Sequence, residues 1–231
     1  MVNSIKDNLE RIREEIRRAA EGCGRREEDI LLVAVTKTRT IDEIKTAASL
    51  GVVSVGENRV QELAEKRALW PEGGSLQWRL IGHLQRNKAR RALAVAGTVD
   101  SLDSPQLASA LSRIAAEEDR KIPVLIEVNT SGEASKHGVK PEEAAGFLEW
   151  TLENCPSLTP EGFMTIGPLG GDEREVRRAF ALLRSIGGEA RARTGLALPE
   201  LSMGMSGDFA WAIGEGSTMV RIGSSIFGPR G

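Results

Sequence analysis

Lys37 follows the apolar run at 30–35 (ILLVAV) with only Thr36 between them. A lysine at the end of such a run is costly to bury unless it is paired or gives up its proton. A neutral amine is a nucleophile, and desolvated lysines form Schiff bases with carbonyl compounds. The competing reading is a side chain that snorkels from a strand end into solvent. Position alone does not separate the two.

A second concentration of useful groups lies near the C-terminus. The stretch LSMGMSGDFAWAIGEGSTMVRIGSSIFG carries Gly204, Ser206, Gly207, Gly216, Ser217, Thr218, Gly223, Ser224 and Ser225. Small residues with hydroxyls and accessible backbone N–H groups suit a phosphate. Ordinary capping by Ser206 and Asp208 explains part of the same pattern. Arg221 stands within this stretch, where it could meet a ring nitrogen, a phosphate, or an acidic neighbour such as Glu57. In GENRVQE, Glu57, Asn58 and Arg59 stand at a helix entrance, with capping as the commoner explanation. His83 is either an acid or base or a hydrogen-bonded structural ring. His137, in a Gly-, Ser- and Lys-rich loop, is expected to be solvated. Met203, Met205, Trp78 and Trp211 are expected in the core or a pocket wall.

The elements that must position these groups alternate. Val2, Ile5, Leu9, Ile12 and Ile16 form one helical stripe that opens the chain. Strand-like runs then follow at 30–36, 52–55, 78–81, 98–101, 123–128, 158–164, 200–203 and 219–222. Helical patterns lie between them at 41–50, 58–69, 84–96, 105–118, 141–152, 172–193 and 208–213, with Ile226 and Phe227 after the last strand. Loops are expected at 71–75 (PEGGS) and 167–172 (GPLGGD). Strict βα alternation implies a parallel sheet, and eight units argue for a closed (β/α)8 TIM barrel, of class α/β, with an extra N-terminal helix. The open-sheet alternative lacks its G-x-G-x-x-G signature, because TKTRTI stands at that position. The reading is one domain over 1–231. In such a barrel the strand ends converge on one mouth, which would gather Lys37, Asn58, His83, Asn129, Met164, Thr165, Ser202 to Ser206, Arg221 and Gly223.

Composition narrows the partners. The 231 residues include 33 acidic and 31 basic ones, a net charge of −2, so no bulk positive field exists for nucleic acid. No apolar run approaches the ~20 residues of a membrane span. The N-terminus interleaves acidic with basic residues, unlike a signal or transit peptide. Cys23 and Cys155 are too few for a disulfide framework and lack metal-ligand spacing, so no metal is expected and a reducing cytoplasm fits.

Several segments in order, VAVTKT, VGENRVQE, WRLIGHLQRNK, VNTSGEASKHGV, GFMTIGP and SMGMSGDFAWAIGEGSTMVRIGSSIFG, resemble the pyridoxal phosphate homeostasis protein family from about residue 3 to residue 230. That family's barrel resembles the N-terminal domain of bacterial alanine racemase. The resemblance implies pyridoxal 5′-phosphate held as a Schiff base on Lys37, with its phosphate on Ser206, Gly223 and Ser224. It implies Asn58 beside the ring and Arg221 at the pyridine nitrogen, where a guanidinium gives up no proton and leaves the ring a weaker electron sink. His83, Asn129, Met164 and Ser202 would line the mouth. The chain departs from the family pattern at Thr36, Arg39 and Thr40 (usually serine, lysine and proline) and at Arg79 (usually histidine).

The resemblance implies a cofactor-binding protein that buffers and delivers pyridoxal phosphate, with dependent apo-enzymes as recipients. An amino-acid racemase using the same cofactor is the alternative. Racemisation by two opposed bases needs a group on each face of the carbanion, and Lys37 serves only one. Alanine racemases take the second from a tyrosine of a further domain, and this sequence has no tyrosine. A third reading, a phosphosugar-type barrel enzyme, would use Lys37 as a Schiff-base lysine toward its substrate. By analogy of fold, a barrel mouth without a covering domain implies a monomer.

Overall fold

The computed structural model describes residues 4–70 and 74–229, so Val2 and positions 71–73 of the expected loop lie outside the described residues. Eight parallel strands pair in chain order and close on themselves, as the alternation predicts. They are β1 (Leu31–Val35), β2 (Ser54–Glu57), β3 (Gln77–Leu80), β4 (Thr98–Leu102), β5 (Ile122–Glu127), β6 (Leu158–Met164), β7 (Glu200–Ser202) and β8 (Met219–Ile222). β8 pairs back onto β1 with Val220 opposite Leu32.

The helices are α1 (Ile5–Glu21), α2 (Ile41–Ser49), α3 (Val60–Leu69), α4 (Ala89–Leu93), α5 (Pro105–Glu117), α6 (Ala144–Asn154), α7 (Glu173–Thr194), α8 (Phe209–Gly214) and α9 (Ser224–Phe227). α1 starts in a capping box, with Asp7 N–H donating to Ser4 Oγ and Ser4 N–H to Asp7 Oδ2, both at 3.2 Å. Its stripe of Leu9, Ile12, Ile16 and Ala20 is buried. Asn8 Nδ2 on α1 donates to Ile226 O at 2.9 Å, which ties the opening helix to α9 at the mouth.

Several boundaries differ from the sequence reading by a residue or two, and two elements differ by more in their make-up. The second strand runs two residues later than expected, because its end carries buried Gly56 and Glu57 in place of an apolar pair. The helix expected over 84–96 is a 3-10 turn at Arg86–Lys88 followed by the short α4. Most of the core lies between helices and strands, while a small inner cluster of Val33, Leu125, Met164 and Met219 fills the barrel. The rest of the inner barrel is polar. Arg79 donates to Asp100 from Nε at 2.7 Å and from Nη2 at 3.1 Å. Burial opposes the Arg79 charge, but Asp100 outweighs it and holds the guanidinium above its ordinary value. Arg79, where the family usually has histidine, therefore serves an ion pair inside the barrel.

Candidate functional site

The C-terminal ends of β1, β7 and β8 enclose a cavity of about 240 Å³ lined by Val35, Lys37, Arg39, Met205, Ser206, Gly207, Arg221, Gly223 and Ser224. Of the residues expected at the site, it gathers Lys37, Ser206, Arg221, Gly223 and Ser224. A larger depression of about 940 Å³, lined by Asp29, Ile30, Val52, Pro199 and Thr218 among others, precedes the strands at the other end of the barrel. Size points there, yet the nucleophile and the hydroxyls are at the mouth, where barrels of this kind place their chemistry.

Lys37 is half-buried in the turn after β1. The residues around it are fixed by an ion-paired group beneath. Lys66 on α3 donates from Nζ to Glu57 Oε1 at 2.6 Å and to Glu62 Oε1 at 2.7 Å, and also to the carbonyl of Thr36. Thr36 Oγ1 donates to Glu57 Oε1, and Thr38 N–H donates to Glu62 Oε1. Both neighbours of Lys37 are thereby held. Thr38 has φ of +66°, which costs a β-branched residue on the order of 1–3 kcal/mol and persists only where surrounding contacts impose it. Glu57 does not cap α3, as the helix-entrance reading had it. It is fully buried, and burial pushes its carboxyl above the ordinary range against the pull of Lys66 and Thr36. Burial also works against the Glu62 charge, but Lys66 and the Thr38 N–H hold that carboxyl below its usual range.

Arg39 and Thr40 also have structural work. Arg39 donates to Phe227 O at 3.1 Å and Gly228 O at 2.6 Å, joining the Lys37 turn to α9. Thr40 opens α2 in a capping box with Glu43.

Arg221 is 4% exposed and donates from Nη1 to Ser202 Oγ at 2.7 Å and from Nη2 to Thr165 O at 2.8 Å. Its partners are therefore Ser202 and Thr165, not Glu57. Burial pulls its guanidinium down, opposed by Asp100, Glu127 and Asp208. Ser224 Oγ donates to Ser206 Oγ at 3.4 Å, so two hydroxyls from different loops face each other at the cavity. Asp208 receives Met205 N–H at 2.5 Å and so shapes the loop bearing Ser206. The amine, the hydroxyl pair and the cationic floor together fit a small anionic carbonyl compound.

The remaining expected residues fall elsewhere. Ser202 is buried beneath Arg221, and Met164 is fully buried in the inner cluster. Asn58, His83 and Asn129 line a second cavity, also of about 240 Å³, beside the ends of β2, β3 and β5. Asn129 Nδ2 donates to Glu133 O at 2.9 Å and orders its own loop. His137 is exposed but is not simply solvated, since its ring stacks on His83 at 3.7 Å between centroids. Met203 and Trp78 are buried, whereas Met205 forms cavity wall. Sequence reasoning missed Lys66, Glu62 and Glu127. Lys66 and Glu62, four residues apart on α3, left a signal as an i,i+4 pair.

Residues 7–231 match the profile of the alanine racemase N-terminal domain. The chain is 39% identical over 224 residues to the pyridoxal phosphate homeostasis protein of Aquifex aeolicus, covering 97% of each. This chain belongs to the pyridoxal phosphate homeostasis protein family. The human member is 40% identical over 214 residues, 86% of this chain and 76% of its own. PipY of Synechococcus elongatus, a solved structure with pyridoxal phosphate bound, superposes with a TM-score of 0.84 at 32% identity, covering 97% of this chain and 100% of its own. Alanine racemase of Clostridium difficile shares the fold alone, with a TM-score of 0.75 at 18% identity over 97% of this chain and 56% of its own. Membership in the family agrees with the eight-stranded closure. Among the described residues, no helix is long and apolar enough to cross a membrane.

Proposed function

We propose that this chain binds pyridoxal 5′-phosphate as a Schiff base on Lys37 and serves intracellular homeostasis of that cofactor, buffering it and delivering it to apo-enzymes as a single-copy barrel. The observation that carries the reading is one small cavity in which Lys37, Ser206, Ser224 and Arg221, drawn from three strand ends, meet. The PLP-bound relative and the family's name support it. Bound pyridoxal phosphate supplies an aldehyde that a lysine amine can hold reversibly, and a ring that can accept electrons.

The chain's own residues have separable parts. Lys37 provides the amine, and Lys66, Glu57 and Glu62 hold the backbone on either side of it. Ser206 and Ser224 offer hydroxyls to the phosphate, and Gly223 brings backbone close to it. Arg221, held by Ser202 and Thr165, would meet the ring nitrogen of the cofactor with a group that does not give up its proton, which would leave the ring a poor electron sink. Asn58, His83, Asn129 and Met164 then belong to the surroundings of the site, with Met164 packing below it. The lack of a tyrosine, which alanine racemases use as the second base, supports the carrier reading over the racemase one.

Visible absorption on addition of pyridoxal phosphate tests the reading. Wild type should develop the band of a protonated imine, and Lys37→Ala should not, while both keep the same far-ultraviolet circular dichroism. An unchanged band in Lys37→Ala would reject Lys37 as the attachment point. Incubating the loaded protein with single amino-acid enantiomers should give no turnover, and a catalytic rate of racemisation would replace the carrier with the enzyme reading.

A further inference from the structure

The second cavity at the mouth is lined by His83 and His137, and Asp103 stands against His83 beside it. His83 follows β3, Asp103 follows β4, and His137 lies in the loop after β5, so three successive strand ends converge there. His83 Nδ1 stands 2.9 Å from Asp103 Oδ2. The His137 ring lies parallel to that of His83, with 8° between planes. One ligating atom from each of the three residues falls within 4.8 Å of the others. Beside them in the same cavity is Glu127, 6% exposed, whose Oε2 has no hydrogen-bond partner.

Lys136 lines the cavity but is engaged by Glu133 at 2.7 Å and by Gly167 O at 2.6 Å. Arg221 is directed to Ser202 and Thr165. Two imidazoles and a carboxylate are thus gathered within reach of one another, with the Glu127 carboxyl in the same cavity as the two rings.

We infer that this cavity binds a divalent transition-metal ion, with His83, His137 and Asp103 as ligands and Glu127 as a nearby compensating charge. Imidazole with carboxylate selects zinc, cobalt or nickel over magnesium or calcium. Around tetrahedral zinc, bonds of about 2.0–2.1 Å put neighbouring donors roughly 3.3 Å apart. The His83–Asp103 separation is already close to that, and the exposed His137 ring has to turn out of its stack on His83 to bring a nitrogen to the ion. Binding at His83 Nδ1 takes the neutral ring as its Nε2–H tautomer, and the metal takes the place of the contact between Nδ1 and Asp103 Oδ2. The site does not involve Lys37. Its ligands are too far apart in sequence to show the short spacing by which metal motifs are recognised.

The test uses tag-free full-length protein, treated with chelator and dialysed. Titration calorimetry with zinc and absorption with cobalt should show one ion per chain, with no comparable uptake of magnesium. His83→Ala and His137→Ala should each weaken zinc at least tenfold, and the double variant should lose it while keeping the wild-type melting curve. Lys37→Ala should bind zinc like wild type, which separates this inference from the cofactor reading. Absence of saturable zinc uptake would overturn it. So would uptake that persists in the double variant, which would assign the ion to exposed Cys23 or to surface carboxylates.

Discussion

Lys66 separates positioning from chemistry at the Lys37 turn, because it touches the backbone before Lys37 and both acids that order the turn. Removing one partner of a buried ion pair leaves an uncompensated charge, at a cost of about 3–5 kcal/mol. Lys66→Met should lose stability of that order in urea denaturation. Glu62→Ala leaves the Lys66–Glu57 pair in place and frees the Thr38 N–H. It should lower pyridoxal phosphate affinity about tenfold by absorbance titration with little change in the urea midpoint. Unchanged affinity would remove Glu62 from the positioning role. Glu127 makes a different prediction. Burial first, and the Asp103 charge second, push its carboxyl up to about 7 against the pull of Arg221. From the ordinary value of 4.5 up to about 7, the folded chain keeps a proton that the unfolded chain has lost, so stability falls as pH rises through that interval. In metal-free protein, Glu127→Gln removes this slope. Its advantage over wild type should grow across that window to on the order of 3 kcal/mol. Parallel stability curves for the two proteins would show that Glu127 titrates normally.

At the scale of elements, close backbone approaches set the mouth. Gly162 in β6 has φ of +152°, and a Cβ there would lie 1.9 Å from Glu200 O. It follows a register shift where β5 pairs with β6. Gly162→Ala forces β6 and β7 apart and should cost about 4 kcal/mol or prevent soluble accumulation. A variant with the wild-type melting temperature would refute that packing account. At Gly82 a Cβ would lie 2.4 Å from Asn58 O, so the ends of β2 and β3 meet without side-chain space between them. β6 and β8 match the expected spans because apolar runs and turn residues agree there. β2 does not, since its last residue is the buried Glu57, and charge in a strand reads as loop from sequence. The second cavity was legible only in its Asn58, His83 and Asn129, expected at strand ends, and the rest was hidden for a related reason. Glu127 is hidden at the end of an apolar strand, and its neighbours come from separate loops.

For the whole molecule, closure of the barrel joins groups far apart in the chain. The βα rhythm made that closure legible, as the strand-end positions made Lys37 and Arg221 legible. What holds Arg221 and the neighbours of Lys37, namely Ser202, Thr165 and the Lys66 cluster, depends on inner-barrel geometry that no local pattern records. The first and last helices are joined through Asn8 and Ile226, and the Lys37 turn is joined to the chain end through Arg39. On the proposed single-copy reading, sedimentation of the loaded protein should give the mass of one chain, and the mass of a dimer would contradict that reading. The central claim is that Lys37 is where pyridoxal phosphate is held. Borohydride reduction of the loaded wild-type protein, followed by peptide mass mapping, tests it most directly. The account predicts one reduced adduct, on the peptide containing Lys37. An adduct confined to another lysine, such as Lys136 in the second cavity, or no adduct at all, would contradict it.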